Sequence, residues 1–366
     1  MAGAALTEAG VSEDALGAKL AVRIRAAGPL SLAEYMQAAL WDPAQGYYAT
    51  RDPLGARGDF ITAPEISQIF GELIGLWFAD SWRQIGAPDP VILCELGPGR
   101  GTLMADFLRA AAIVPEFRRA LRLHLIEASP GLRAQQEKTL ASASPAWHRD
   151  IDELPAGPLL LVANEFLDAL PIHQYQRGAD SWHERRIGLD ARGGLAFVLD
   201  PQAAGEHGAW PVGSIVEARP AAQDLAARLG RRLAASHGVA LFIDYGYYPS
   251  APGDSFQALS RHRFADPLNA PGSADLTAHV DFMRFGAGAE SAGAQRHGPV
   301  DQGAFLKALG AQARASKLAA GKSPAGRETI GSGLHRLVDP TQMGSLFKVL
   351  ALSHHASALR LAGFLN

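Results

Sequence analysis

Four short runs rich in Val, Ile and Leu recur along the chain: VILCEL (91–96), RLHLIE (122–127), PLLLVANE (158–165) and VALFIDYG (239–246). All are too short to be core helices, and Val, Ile and Leu occupy both alternating faces. That is the pattern of strands covered on both sides, as in the middle of a parallel sheet. TLMADFLRAAAI lies between the first two runs and PGLRAQQEKTLASA follows the second, and each reads as a crossover helix. Strand and helix therefore alternate, which predicts a doubly wound α/β fold with a mostly parallel sheet. LFKVLALSH near the end of the sequence supplies the last strand.

The remaining segments are arranged around that frame. SLAEYMQAAL opens with Ser31 and Glu34 in capping-box spacing, and Leu32, Tyr35, Met36 and Ala39 fall on one helical face. WDPAQGYYATRDPLGARGDF is a loop by its turn chemistry. Helical order returns in TAPEISQIFGELIGLWFADSW, with a second capping box expected between Thr62 and Glu65. The expected division is an N-terminal helical region and loop, 1–54, followed by the α/β domain, 55–366. That domain carries insertions at about 172–218 and about 250–343. The first insertion reads as short β segments whose Trp and Tyr residues hint at a docking surface. The second reads as an ordered loop system with a helix near 277–286.

Bulk properties exclude several classes. Apolar residues make up 48% and charged residues 19% of the 366, the composition of a globular domain with a substantial core. A net charge of −3 gives no footprint for nucleic acid or anionic lipid, and Arg228, Arg231 and Arg232 read as a solvated helix face. The single cysteine, Cys94, sits in an apolar run, so it reads as a core residue and the chain holds no internal disulfide. The histidines, His354 and His355 included, lack metal-ligand spacing, so no metal site is expected. No apolar run approaches the ~20 residues of a membrane span, so no stable membrane insertion is expected.

CELGPGRGTL (94–103) follows a strand and opens a helix, the context in which glycines matter. No Lys-Ser/Thr pair follows, so it is not a P-loop. Gly97, Gly99 and Gly101 are spaced G-x-G-x-G, unlike the nicotinamide fingerprint, and Pro98 has no amide to offer a pyrophosphate. Glu95 would repel a pyrophosphate but attract the ammonium of S-adenosylmethionine. Glu127 ends the second strand, where a carboxylate accepts from both ribose hydroxyls of an adenosine ligand. The long interval from Gly97 to Glu127 is explained by an extra helix or loop at IVPEFRR. Asp150 reads either as the acceptor for the adenine amino group, with Ile151 against the ring, or as a surface acid starting a turn. Together these residues favour a methyl-donor site over a nicotinamide oxidoreductase.

The acceptor side is expected at ANEFLDALP. Asn164 matches the start of the Asn/Asp-Pro-Pro-aromatic signature of amino-methylating enzymes, and is grouped with the cofactor residues. Glu165 and Phe166 replace the prolines. Glu165 and Asp168 instead supply carboxylates suited to a cationic acceptor such as a guanidinium, although Asp168 equally fits a turn before Pro171. Asp59 in RGDFITAPE is the third catalytic candidate, or else a loop acid leading into a helix. Asp244, Tyr245 and Tyr247 follow the fifth strand near the same sheet edge.

With these residues in place the chain resembles the class I methyltransferases of the MidA type, formerly a domain of unknown function. The resemblance rests on GDFITAPEISQIFGELIGLWF, ELGPGRGTLMADFLR, NEFLDALPIHQY and PGSADLTAHVDF, and runs from about residue 30 to the last strand. It implies a Rossmann-like, mostly parallel seven-stranded sheet and S-adenosyl-L-methionine as cofactor, with S-adenosyl-L-homocysteine as product. Glu95, Gly97, Gly99 and Gly101 carry over as cofactor residues. Asn164 departs from the mitochondrial members, which can have His there. Those members assist assembly of respiratory complex I, so the resemblance implies a protein substrate and dimethylation of an arginine on its 49-kDa-type subunit. A non-catalytic assembly factor that retains the fold is the alternative. The Ala/Gly/Arg-rich composition and the lack of an evident presequence lead to the expectation of a cytoplasmic, bacterial enzyme.

Overall fold

A computed structural model describes residues 15–50, 62–354 and 358–364. Its central sheet contains β1 (Val91–Leu96), β2 (Leu121–Ile126), β3 (Ala146–His148), β4 (Leu159–Asn164), β5 (Gly238–Tyr247), β6 (Ala294–Asp301) and β7 (Phe347–His354). Among the described residues the spatial order is β6-β7-β5-β4-β1-β2-β3, and the short strand Val280–Asp281 pairs with the far end of β5. Strands β1 to β5 are mutually parallel, while β7 runs antiparallel to both β5 and β6. The order reverses between β1 and β4, which opens a crevice at their carboxyl ends. Every residue of β1 and β4 is buried, as their unbroken apolar runs require. Cys94 lies in this core.

The N-terminal helices, α1 (Ala15–Ala27) and α2 (Leu32–Trp41), pack on a second, antiparallel sheet. Its strands are His173–Arg177, Trp182–Leu189, Leu195–Ala204 and Ile215–Ala218, and Leu30–Ser31 pairs with Trp182–Leu189 ahead of α2. The Ser31/Glu34 capping box forms as the spacing predicts. Leu16, Leu20, Tyr35 and Met36 share one core with Ile172, Ile187, Phe256 and Leu276, so the first helices and both insertions close over common apolar side chains. The docking surface expected from Trp and Tyr is diminished by that packing, because Trp182 is buried and Trp210 alone of the two tryptophans is exposed.

The TAPE segment differs from its expectation. Thr62 makes no side-chain cap, and the helix divides into α3 (Ala63–Ile66) and α4 (Gln68–Gln84) at Ser67, whose backbone is extended. Ser67 caps α4 through the Ile69 amide. Glu65 is used elsewhere, accepting at 2.5 Å from the hydroxyl of Thr102. Thr102 begins α5 (Thr102–Ala111), the crossover helix after β1. Gly71 and Gly75 let α4 press on α5, since a Cβ at Gly75 would lie 2.7 Å from the Phe107 carbonyl oxygen. Beneath that contact, buried Glu72 accepts from Arg109 and Arg314, at 3.1 and 2.7 Å, and ties α4 to two further helices.

The IVPEFRR interval contains the helix Pro115–Ala120, which accounts for the distance from Gly97 to Glu127. The second crossover is α6 (Pro130–Thr139) and the one before β5 is α7 (Pro220–Ala235). Arg228 and Arg232 on α7 are not merely solvated: Arg228 pairs with Asp150, Asp152 and Asp224, and Arg232 donates to the carbonyls of Leu154 and Pro155. The later helix runs over Phe282–Ser291, a few residues beyond its predicted span, because Asp281 caps it through the Arg284 amide.

Candidate functional site

The glycine turn leaves the end of β1 with all three glycines in the left-handed region, at φ 61° for Gly97, 54° for Gly99 and 81° for Gly101. Residues with a Cβ are strained there, which is why this turn needs glycine. A Cβ at Gly97 would also lie 2.9 Å from the Phe166 ring. Glu95, two residues earlier, is buried, and its Oε2 has no hydrogen-bond partner. Burial, with the Glu127 charge adding to it, pushes Glu95 up to about 8.

At the end of β2, Glu127 accepts from the Ser129 amide at 2.8 Å and from Gln136 Nε2 at 3.1 Å. Burial raises its pKa against these donors. Gln136 on α6 also donates to the Gly99 carbonyl at 2.7 Å and accepts from the Trp147 indole at 2.9 Å. This fully buried amide therefore locks the glycine turn, Glu127 and β3 together. Sequence reasoning missed it; its only local signal is a polar residue one helical turn after Leu132 on the buried face of α6.

Across the crevice, Glu165 follows β4 with φ 51°, an uncommon backbone for a residue with a Cβ. Its Oε1 accepts from the Ala63 amide at 3.2 Å and from Asn164 Nδ2 at 3.1 Å. Burial, then the nearby Asp168, push Glu165 up to about 7. The turn after it is held by Asp244, whose Oδ2 accepts from the amides of Phe166, Leu167 and Asp168 at 2.9–3.2 Å. Asp244 Oδ1 accepts from the Tyr245 amide at 2.9 Å. Asp168 is buried beneath the turn with its side chain bonded to Tyr245, and does not line the cavity.

These strand ends open into a cavity of about 310 Å³, within the roughly 300–1,000 Å³ of small-molecule sites. Glu95, Gly97, Gly99, Glu127, Asn164 and Glu165 line it. Its outer wall, which sequence reasoning also missed, comes from Gln37 and Trp41 of α2 and from Tyr48. Asp150 and Ile151 are not brought into the cavity. The Asp150 carboxylate, its side chain 48% exposed, is taken by Arg228 and caps the short turn after it through the Asp152 amide. Partial burial opposes ionisation there, but that amide and Arg228 hold Asp150 below the ordinary carboxylate range. Ile151 is a core residue packed under β4. Asp59 lies outside the described residues. No three His, Cys, Asp or Glu side chains among the described residues are placed to hold a metal ion.

A cationic, adenosine-containing ligand suits this arrangement. The buried, unpartnered oxygen of Glu95 needs a donor, and an ammonium supplies one. The comparisons with known proteins agree. A family model of S-adenosyl-L-methionine-dependent methyltransferases matches residues 73–300. The chain is 38% identical to the mitochondrial protein arginine methyltransferase NDUFAF7 homolog of Drosophila melanogaster, over 92% of this chain and 84% of that protein. It is 37% identical to the Homo sapiens mitochondrial NDUFAF7, over 92% and 82%. A Burkholderia thailandensis structure bound to S-adenosyl-homocysteine superposes with a TM-score of 0.82 at 28% identity, over 97% of this chain and 93% of that one. The expectation of a cytoplasmic, bacterial enzyme is corrected here, because these curated relatives are mitochondrial proteins. In fold, cofactor and sequence, the chain belongs to the S-adenosyl-L-methionine-dependent methyltransferases of the MidA and NDUFAF7 type.

Proposed function

We propose that the protein methylates an arginine side chain of a protein, with the 49-kDa-type subunit of respiratory complex I as acceptor and symmetric dimethylarginine as product. The observation that carries this reading is Glu165: a carboxylate fixed through Oε1 by two donors and lining the same cavity as the glycine turn. The relatives named as protein arginine methyltransferases support the same acceptor class.

In this reading Glu95 binds the cofactor's ammonium, the glycine turn lets the backbone approach its methionine portion, and Glu127 accepts from the ribose hydroxyls. When bound, the cofactor supplies a methyl group on a sulfonium centre, open to in-line attack. Glu165 orients the guanidinium and draws its positive charge toward the carboxylate, so that electron density returns to the attacking nitrogen. The nitrogen loses a proton as the new bond forms, and Glu165 Oε2 accepts it. A group titrating at about 7 is suited to that duty near neutral pH. Asn164 holds the Glu165 carboxylate, and buried Asp168 and Asp244 shape the turn that presents it. Reaction geometry, rather than covalent chemistry by the protein, supplies most of the rate.

The test is transfer of labelled methyl groups to the purified 49-kDa-type subunit, with the product residue identified by mass spectrometry. Glu165→Gln should keep S-adenosylhomocysteine affinity within about twofold and lower kcat by roughly 10²-fold or more. Full activity in that variant would remove Glu165 from the chemistry, and label on residues other than arginine would reject the acceptor class.

A further inference from the structure

The outer wall of the cavity comes from a part of the chain that contributes nothing to the central sheet. Gln37 and Trp41 stand one helical turn apart on α2, and Tyr48 follows in the next short helix, Tyr47–Thr50. The Trp41 and Tyr48 rings pack on each other, centroids 5.0 Å apart and planes inclined by 32°, and form one aromatic cluster that lines the cavity. Tyr48 is fixed at its far end, its hydroxyl donating to Asp275 Oδ1 at 2.8 Å. Burial raises that hydroxyl's pKa, and the charges of Asp275 and Asp168 add to the shift. Both rings line the same cavity as Glu165.

We infer that Trp41 and Tyr48 form the acceptor subsite, an aromatic wall against which the planar guanidinium of the target arginine lies while Glu165 meets its edge. This rests on the arginine reading above. A delocalised, weakly hydrated cation gains from an aromatic surface and from a carboxylate in its own plane, whereas a compact ammonium holds its hydration more strongly. The subsite therefore selects arginine over lysine. It also explains why the N-terminal helices are packed onto the α/β body: they bring the aromatic wall to the mouth of the cofactor cavity.

The experiment measures methyl transfer to a pool of arginine-centred peptides and to the matched lysine-centred pool, with S-adenosylhomocysteine affinity measured alongside by calorimetry. Trp41→Leu and the double variant Trp41→Leu/Tyr48→Leu should raise KM for the arginine pool by about tenfold or more. Their S-adenosylhomocysteine Kd should stay within about twofold. Trp41→Phe, which keeps a ring, should recover most of the loss, and Tyr48→Phe should retain low KM despite losing the bond to Asp275. An unchanged KM in the double variant with cofactor affinity intact would overturn the subsite. So would a selective loss of cofactor affinity, which would assign the rings to the cofactor. Failure of the arginine reading is seen separately, in wild-type protein that labels lysine peptides and leaves arginine peptides untouched; that result removes the proposed ligand as well.

Discussion

At the ends of β1 and β2 two carboxylates, Glu95 and Glu127, are buried close enough for one to raise the pKa of the other. In the free protein Glu95 titrates at about 8, well above its ordinary value of 4.5. A raised acid binds its proton more tightly folded than unfolded. Its contribution to stability is therefore complete below about pH 4.5, declines as pH rises, and is gone above about 8. Cofactor binding has the opposite slope, because an ammonium is attracted to the ionised form. For Glu95→Gln, we expect the melting temperature of the unliganded protein to exceed that of wild type at pH 8 by a few degrees, roughly. The difference should shrink toward pH 5. The same variant should bind S-adenosylhomocysteine about tenfold or more weakly at pH 8, without the rise in affinity from pH 6 to 8 expected of wild type. Scanning calorimetry and titration calorimetry in matched buffers read both, and parallel pH profiles for the two proteins would rule out Glu95 as the ammonium's partner. The residue was legible because its cues are local: a strand end, a carboxylate, then glycines. Asp150 looked similar in sequence, but its partner Arg228 lies 78 residues away, and that contact decides what its carboxylate does.

Between elements, Glu72 is the residue through which α4 holds α5 and the helix Ala311–Ala319. Glu72 is the buried partner of both arginines, and its removal breaks both cross-helix ion pairs at once. Glu72→Ala should cost about 3 kcal/mol of unfolding free energy, measured by urea titration. Arg109 is half exposed and can turn to water, so Arg109→Ala should cost about 1 kcal/mol or less. Equal losses in the two variants would mean that the cluster's stability does not depend on the burial of Glu72. The apolar periodicity of α4 was readable, because Ile69, Phe70, Leu73 and Trp77 need only helical spacing to share a face. Its division at Ser67 was not. The Thr62–Glu65 spacing mimics a capping box, yet Glu65 reaches Thr102, 37 residues onward, and so supports the start of α5 beside the glycine turn.

Across the whole molecule, the N-terminal helices share one apolar core with both insertions. Deleting residues 1–46 should therefore not yield a trimmed enzyme. It would expose Phe256, Leu276 and Ile187, and the product should be insoluble or lose its cooperative melting transition. A soluble truncated protein with a wild-type S-adenosylhomocysteine Kd would show that the central sheet folds and binds cofactor without this layer. By itself the sequence determined the parallel sheet, the crossover helices and the glycine turn, and it put Glu95, Glu127 and Glu165 at strand ends. Each is set by periodicity or backbone geometry over fewer than about ten residues. Only the tertiary structure decided which acids reach the cavity, and that Trp41 and Tyr48 close it. Those outcomes depend on which distant partner competes for each side chain, and a partner's position is fixed by packing, which has no period in the sequence.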